Sequence, residues 1–232
     1  MNDILKEWSR LGVIFNVDES DRTPDIEKLL VKTAYELRGN SRLFVMALSW
    51  LCIYQRFVCK HRLASFARKI EDSFASASLG LLLDMAKEYS GSDHFNLAIK
   101  FCRGNENPEP LFLSDNRNPA LAGFVQSRSC SLAIKWGLWC EETQIKVDSI
   151  RPLSWIMKNN PALKQRAIFN GNLKASILET IADDQKTGES ESLLAKCCSA
   201  TRKAVREALD HLEFCQMIRR VPDGSRIRIE IV

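Results

Sequence analysis

Apolar residues recur every three to four positions through most of this chain and alternate every second position only near its end. The first pattern predicts helices and the second a strand. Ile4, Leu5, Trp8 and Leu11 share one face of a helix over residues 2–11, closed by Gly12. Residues 13–22 lack a clear period and leave room for a short extended segment. Thr23-Pro24-Asp25 reads as a helix start, with Thr23 as N-cap, proline in the first helical position and acid in the first turn. That helix should run to about residue 38 and bury Ile26, Leu29, Leu30, Thr33, Ala34 and Leu37. Gly39-Asn40-Ser41 ends it and caps the next, over residues 42–58, which is apolar almost all round and so belongs in the middle of a bundle. Further helices follow over residues 62–70, 74–89 and 95–101. Short connections make an N-terminal helical bundle, or stacked helical hairpins, the expected architecture.

Residues 104–117 hold Asn105, Asn107, Pro108, Pro110, Ser114, Asp115 and Asn116, which form turns and loops. Either this is a loop inside one domain or it links two helical parts. The tetrapeptide Asn118-Pro119-Ala120-Leu121 recurs as Asn160-Pro161-Ala162-Leu163, without matching flanks, and reads as one capping solution used twice. Residues 130–140 are strongly apolar, and residues 153–157 form a short helix. The Asn170-Gly171-Asn172 turn is the expected hinge, dividing the chain into a helical domain over residues 1–170 and a second domain over residues 171–232.

The second domain carries the chemistry. Ile177, Leu178 and Ile181 give its first helix an inward face, and Ser190 and Glu191 open the second, with Leu193, Leu194 and Ala195 inside. Ser199-Ala200 makes a turn, and Thr201 caps a third helix whose Val205, Leu209 and Leu212 face inward. Arg202, Lys203 and Arg206 are left pointing outward in its first two turns. Residues 215–221 suit a strand, Pro222-Asp223-Gly224-Ser225 a turn, and residues 226–231 a half-buried strand of alternating charge and isoleucine. Lys and Arg equal Asp and Glu in number from Asn172 onward, with the bases gathered at residues 196–206 and 219–228 and the acids on the first helix and late in the third.

This order of elements resembles the winged helix-turn-helix superfamily of bacterial transcription regulators. The resemblance rests on Leu193-Leu194-Ala195-Lys196, on residues 201–209, on Leu212, on Met217-Ile218-Arg219-Arg220 and on the terminal hairpin, about a quarter of the chain. The family often has glycine near the end of the third helix, where this chain has Cys215-Gln216. The resemblance implies a mainly α protein ending in a winged helix-turn-helix with a two-stranded wing, whose third helix enters the major groove while the wing touches phosphate. Double-stranded DNA is then the expected partner. Lys196, Thr201, Arg202, Lys203 and Arg206 would contact it from the helices, and Arg219, Arg220, Arg226 and Arg228 from the wing. The helical domain would serve dimerisation, most simply as a homodimer, ligand sensing or docking of a protein partner. The competing expectation is a non-catalytic scaffold whose winged helix mediates subunit contacts.

Composition changes this picture little. The chain has 232 residues and a formal net charge of +4, so charge distribution rather than total charge decides the partner. Its 8 cysteines include no CxxC pair and read as buried small hydrophobes. Cys197-Cys198, beside Lys196 and Arg202, is the one candidate redox pair. His61, His94 and His211 show no metal-ligand spacing, and no phosphate loop, dinucleotide fingerprint or nucleophile elbow occurs, so neither enzyme, metal nor cofactor is expected. Glu141-Glu142 and Asp183-Asp184 read as solvated helix ends, and the basic stretch Arg56, Lys60, Arg62, Arg68 and Lys69 as a solvated face or a second DNA contact. Trp50, Trp136, Trp139 and Trp155 read as core rather than pocket lining. The first ten residues carry Asp3, Lys6 and Glu7, unlike a signal peptide, and the apolar stretch at residues 43–54 is too short to span a bilayer, so a cytoplasmic protein with no membrane partner is expected.

Overall fold

A computed structural model describes residues 2–223 and 226–232. The chain is mainly helical, with two small two-stranded sheets. Helix α1 (Asn2–Arg10) buries Ile4 and Trp8 and ends at Gly12, whose φ of 93° suits only glycine well. Helix α2 (Ile26–Glu36) starts later than the sequence suggests. Asp25, not Thr23, is its N-cap, accepting from the Lys28 amide at 3.1 Å, while the Thr23 hydroxyl donates to Asn160 Oδ1 at 2.9 Å. Asn40 caps α3 (Ser41–Tyr54), which is buried on most sides as its apolar surface requires. Helices α4 (Lys60–Ala67) and α5 (Ser73–Ser90) follow, and α5 shares the centre of the bundle, buried without a break from Phe74 to Ala86.

The loop-rich segment packs against this core through a short strand and a buried leucine. After α6 (Asn96–Ile99), strand β1 (Glu109–Pro110) pairs in parallel with β2 (Leu138–Trp139), and Leu111 is fully buried. Helices α7 (Pro119–Ser127) and α8 (Ser131–Lys135) lie between the two strands. Trp136 lies so close to Gly80 of α5 that a Cβ there would sit 2.4 Å from its ring. Its indole N–H donates to Asp84 at 3.1 Å, so the contact is both packed and oriented. Trp50 and Trp136 are indeed core, and Trp139 and Trp155 are half-buried.

The two Asn-Pro-Ala-Leu tetrapeptides diverge. Asn118 caps α7 by accepting from the Leu121 amide at 2.8 Å. Asn160, between α9 (Leu153–Asn159) and α10 (Leu163–Ile168), is fully buried and closes the end of α9 instead of capping the start of α10. Its amide donates to the carbonyls of Arg10 at 2.8 Å and Ile156 at 3.1 Å, because an unpaired amide in the core would be more costly than an uncapped helix.

A second, separate core lies beyond residue 170. It joins α11 (Leu173–Asp183), α12 (Glu191–Cys197), α13 (Arg202–Phe214) and an antiparallel hairpin of β3 (Ile218–Asp223) and β4 (Arg226–Ile231). The Gly224-Ser225 turn expected at the hairpin tip lies outside the described residues. The Asn170-Gly171-Asn172 turn exists, with φ of 51° at Asn170 and 58° at Gly171, but it is not an open hinge. The Gly171 carbonyl accepts from the Lys60 amide at 3.0 Å, and a Cβ on Gly171 would come within 2.0 Å of the Val58 carbonyl oxygen.

Buried charge joins the two cores. Glu27 of α2 is fully buried and accepts from Arg62 at 2.8 Å, from Arg166 at 2.6 Å and from the Cys59 amide at 2.7 Å. Arg166 reaches on to Glu179 of α11 at 2.8 Å, and Arg62 to Asp183 of α11 at 3.0 Å. Arg62 also grips Asp25 through both Nη atoms at 2.6 Å. Burial alone would raise the Asp25 carboxyl, but the hydrogen bonds and charge of Arg62 outweigh it and hold the group below its ordinary range. Arg62 is thus no solvated cation, whereas Asp183, the last residue of α11, is exposed and pairs with Arg62 and Lys28 from there. No helix among the described residues is long and apolar enough to cross a membrane.

Two substitutions test this packing. Glu27→Ala strands two buried guanidinium groups and should lower stability by about 3–5 kcal/mol in urea unfolding; a loss below about 1 kcal/mol would mean that the cations relax into water. Gly80→Ala forces the Trp136 ring to move and should lower stability by about 1–3 kcal/mol, with a changed tryptophan emission; an unchanged midpoint and spectrum would contradict the close contact.

Candidate functional site

The α12–α13 turn follows directly from its capping residues. The Ser190 hydroxyl accepts from the Leu193 amide at 3.1 Å and opens α12. Ser199 takes a φ of 48°, and the Ala200 amide donates to the Ala195 carbonyl at 2.9 Å, which reverses the chain. Thr201 then accepts from the Ala204 amide at 3.2 Å and opens α13. Val205, Leu209 and Leu212 are fully buried, so Arg202, Lys203 and Arg206 are exposed, as their spacing requires. Lys196, near the end of α12, is exposed as well.

These cations differ in their neighbours. Arg202 and Lys196 make no ion pair among the described residues, and Lys203 Nζ lies 4.0 Å from Glu207. Arg206 donates through Nε and Nη2 to Glu191 Oε2, at 3.2 and 3.0 Å. The outward stripe of α13 continues from Lys203 to Glu207, Asp210 and Phe214, so only the first two turns of this helix present positive charge.

The hairpin exit uses Gln216 where glycine is frequent. It adopts a φ of 56°, and the Met217 amide closes the helix end on the Leu212 carbonyl at 2.9 Å. Pairing Ile218 with Ile231, Arg220 with Ile229 and Pro222 with Ile227 puts these residues on one face of the ribbon. Ile218 and Ile229 are buried there in the second core. Arg220 therefore faces inward and is half-buried, donating to Glu213 at 2.5 Å and to Asp210 at 2.7 Å. It docks the hairpin on α13 and does not share a front with the other hairpin arginines. Alternation along the strand already separates Arg219 from Arg220, which cannot both point outward.

Arg219 and Arg228 occupy the outer face and converge on Glu230. Arg219 reaches it at 2.8 Å, and Arg228 holds its other oxygen. Together, Arg228 first and Arg219 second, they hold the Glu230 carboxyl below its ordinary range. Arg226 occupies the position opposite Asp223 in the ladder. Sequence reasoning missed Glu230 and Glu191 as partners; the first was legible two residues after Arg228 on the same strand face, the second only in three dimensions.

The proposed redox pair is not favoured. Cys198 is fully buried, and burial pushes its thiol up to about 11, away from the thiolate that redox chemistry needs. Among the described residues no three His, Cys, Asp or Glu side chains gather in a way that could hold a metal ion. No family model matches the chain, and no curated protein or solved structure matches it.

The two adjacent hairpin arginines should separate in a stability assay. Arg220→Ala should lower the unfolding free energy by about 1–2 kcal/mol, since it removes a mostly covered guanidinium together with its packing and both its ion pairs. Arg219→Ala, on the exposed face, should change it by less than about 0.5 kcal/mol. Equal effects in thermal or urea unfolding would contradict the assignment of faces.

Proposed function

We propose that residues 171–232 form a winged helix-turn-helix that binds duplex DNA, and that the protein serves in transcriptional control in the cytoplasm. The observation that carries this reading is the exposed first turn of α13, where Arg202 and Lys203 follow the Thr201 cap, with Lys196 exposed near the end of α12. In this reading α13 enters the major groove by its N-terminal end rather than along its length, because Glu207 and Asp210 would meet phosphate farther down. Arg206 joins by exchanging Glu191 for DNA; an exposed ion pair is worth about 0–1 kcal/mol, so the exchange is cheap. Arg219, Arg226 and Arg228 make the phosphate contacts of the wing, with Glu230 ordering Arg219 and Arg228. Arg220 supports the wing from behind.

The module carries balanced charge, so a single copy binds weakly and in a strongly salt-dependent way. Pairing as a homodimer through the helical part multiplies this affinity by linking two half-sites. A second reading, a scaffold whose winged helix holds another protein, is favoured by Phe214, which is 88% exposed at the far end of α13.

Fluorescence anisotropy with labelled duplex DNA over a salt series tests the choice. The wild-type protein should bind with a steep salt slope. Arg202→Ala/Lys203→Ala should bind roughly tenfold more weakly at about 0.1 M salt, with a slope lower by about 2. Absence of binding by the wild-type protein at low salt would favour the scaffold.

A further inference from the structure

The two flanks of α13 differ. On one flank Asp210 and Glu213 hold the hairpin through Arg220. On the other, Ala204, Ala208, Glu207 and His211 line a groove of about 450 Å³ whose far wall is Lys60 and His61 of α4 and Lys174 of α11. The small side chains of Ala204 and Ala208 leave this space open. Lys60 and Lys174 make no ion pair among the described residues, and Lys174 Nζ lies 6.0 Å from the centre of the Phe169 ring; the one carboxylate lining the groove, Glu207, lies 4.0 Å from Lys203, whose charge offsets its repulsion of a phosphate. Most other cations around α13 have a partner: Arg206 on Glu191, Arg219 and Arg228 on Glu230, Arg220 on Asp210 and Glu213.

The wall is anchored rather than loose. The Lys60 amide donates to the Gly171 carbonyl at 3.0 Å, immediately before α11. The neighbouring His61 lies beside the backbone of Cys198, where α12 gives way to the turn before α13. The start of α4 therefore sits at a set position beside α13, and Lys60 and Lys174 are half-buried.

We propose that Lys60 and Lys174 bind backbone phosphates of the same duplex that α13 reads, so that the DNA footprint extends off the C-terminal unit onto the helical unit. This rests on the DNA-binding reading above. A helix whose N-terminal turns enter a major groove about 12 Å wide meets a phosphate ridge on each side. The hairpin flanks α13 on one side and the Lys60–Lys174 groove on the other, so in the DNA-binding reading each lies nearest one ridge. The contact carries charge without base selectivity, so it sets affinity and orientation on the duplex rather than sequence preference.

The test measures duplex binding over a salt series for the wild-type protein, for Lys60→Gln/Lys174→Gln and for Arg202→Ala/Lys203→Ala. Thermal unfolding of each variant checks that the fold is kept. The Lys60/Lys174 variant should lose about tenfold in affinity at about 0.1 M salt and lower the salt slope by about 2, equally on every duplex sequence. A second pair, Lys60→Glu/Lys174→Glu, should bind still more weakly. Wild-type affinity and slope in both lysine variants, with binding weakened about tenfold in the Arg202/Lys203 variant, would overturn the extended footprint while leaving the DNA reading intact. No binding by the wild-type protein would overturn both.

Discussion

A carboxylate with no access to water organises this molecule. Glu27 is fully buried, and a lone ion there would lose several kcal/mol of hydration. It is tolerated because two guanidinium groups and one backbone amide converge on it, from α4, from α10 and from Cys59. The cluster is not self-contained. Each arginine also has a carboxylate partner on α11, Glu179 for Arg166 and Asp183 for Arg62. Apolar contacts would tolerate sliding between the two cores, whereas forked hydrogen bonds with fixed directions do not. Burial raises the thiol of the adjacent Cys59, and the Glu27 charge raises it further, so the site suppresses thiol chemistry.

That rigidity decides what the C-terminal unit shows to solvent. Because α11 is held on the bundle, the turn before it packs on Val58 and Lys60, and His61 meets the turn before α13. The front of α13 is thereby framed by the hairpin and by the start of α4. The hairpin in turn depends on Arg220, whose inward position turns a residue that looks like a DNA contact in the sequence into a strut. The positive charge left for a partner is narrower than the arginine content suggests, and it gathers at the beginning of α13.

Local signals were legible in the sequence, and long-range ones were not. The caps Asn40, Asn118, Ser190 and Thr201 each bond the backbone a few residues on, so their chemistry lies within a short window. The alternation of residues 226–231 and the inward stripe of α13 are likewise local periods, and both correspond to observed elements. Thr23 and Asn160 were misread for one shared reason. They bond to each other across 137 residues, and that tertiary partner replaces the capping role their neighbours suggest. The Glu27–Arg166 pair spans 139 residues, so nothing near either residue announces it. Arg62 was equally hidden, as one of several bases in a run that pattern alone assigns to solvent.

Buried ion pairs make the two cores one cooperative body. Amide hydrogen exchange over a urea series tests it most directly, comparing Leu29 and Leu30 of α2 with Ile177 and Leu178 of α11. The account predicts that both sets lose protection together, at one free energy and with one dependence on urea. Earlier opening of α11 to α13 as a separate transition, while α2 stays protected, would contradict it.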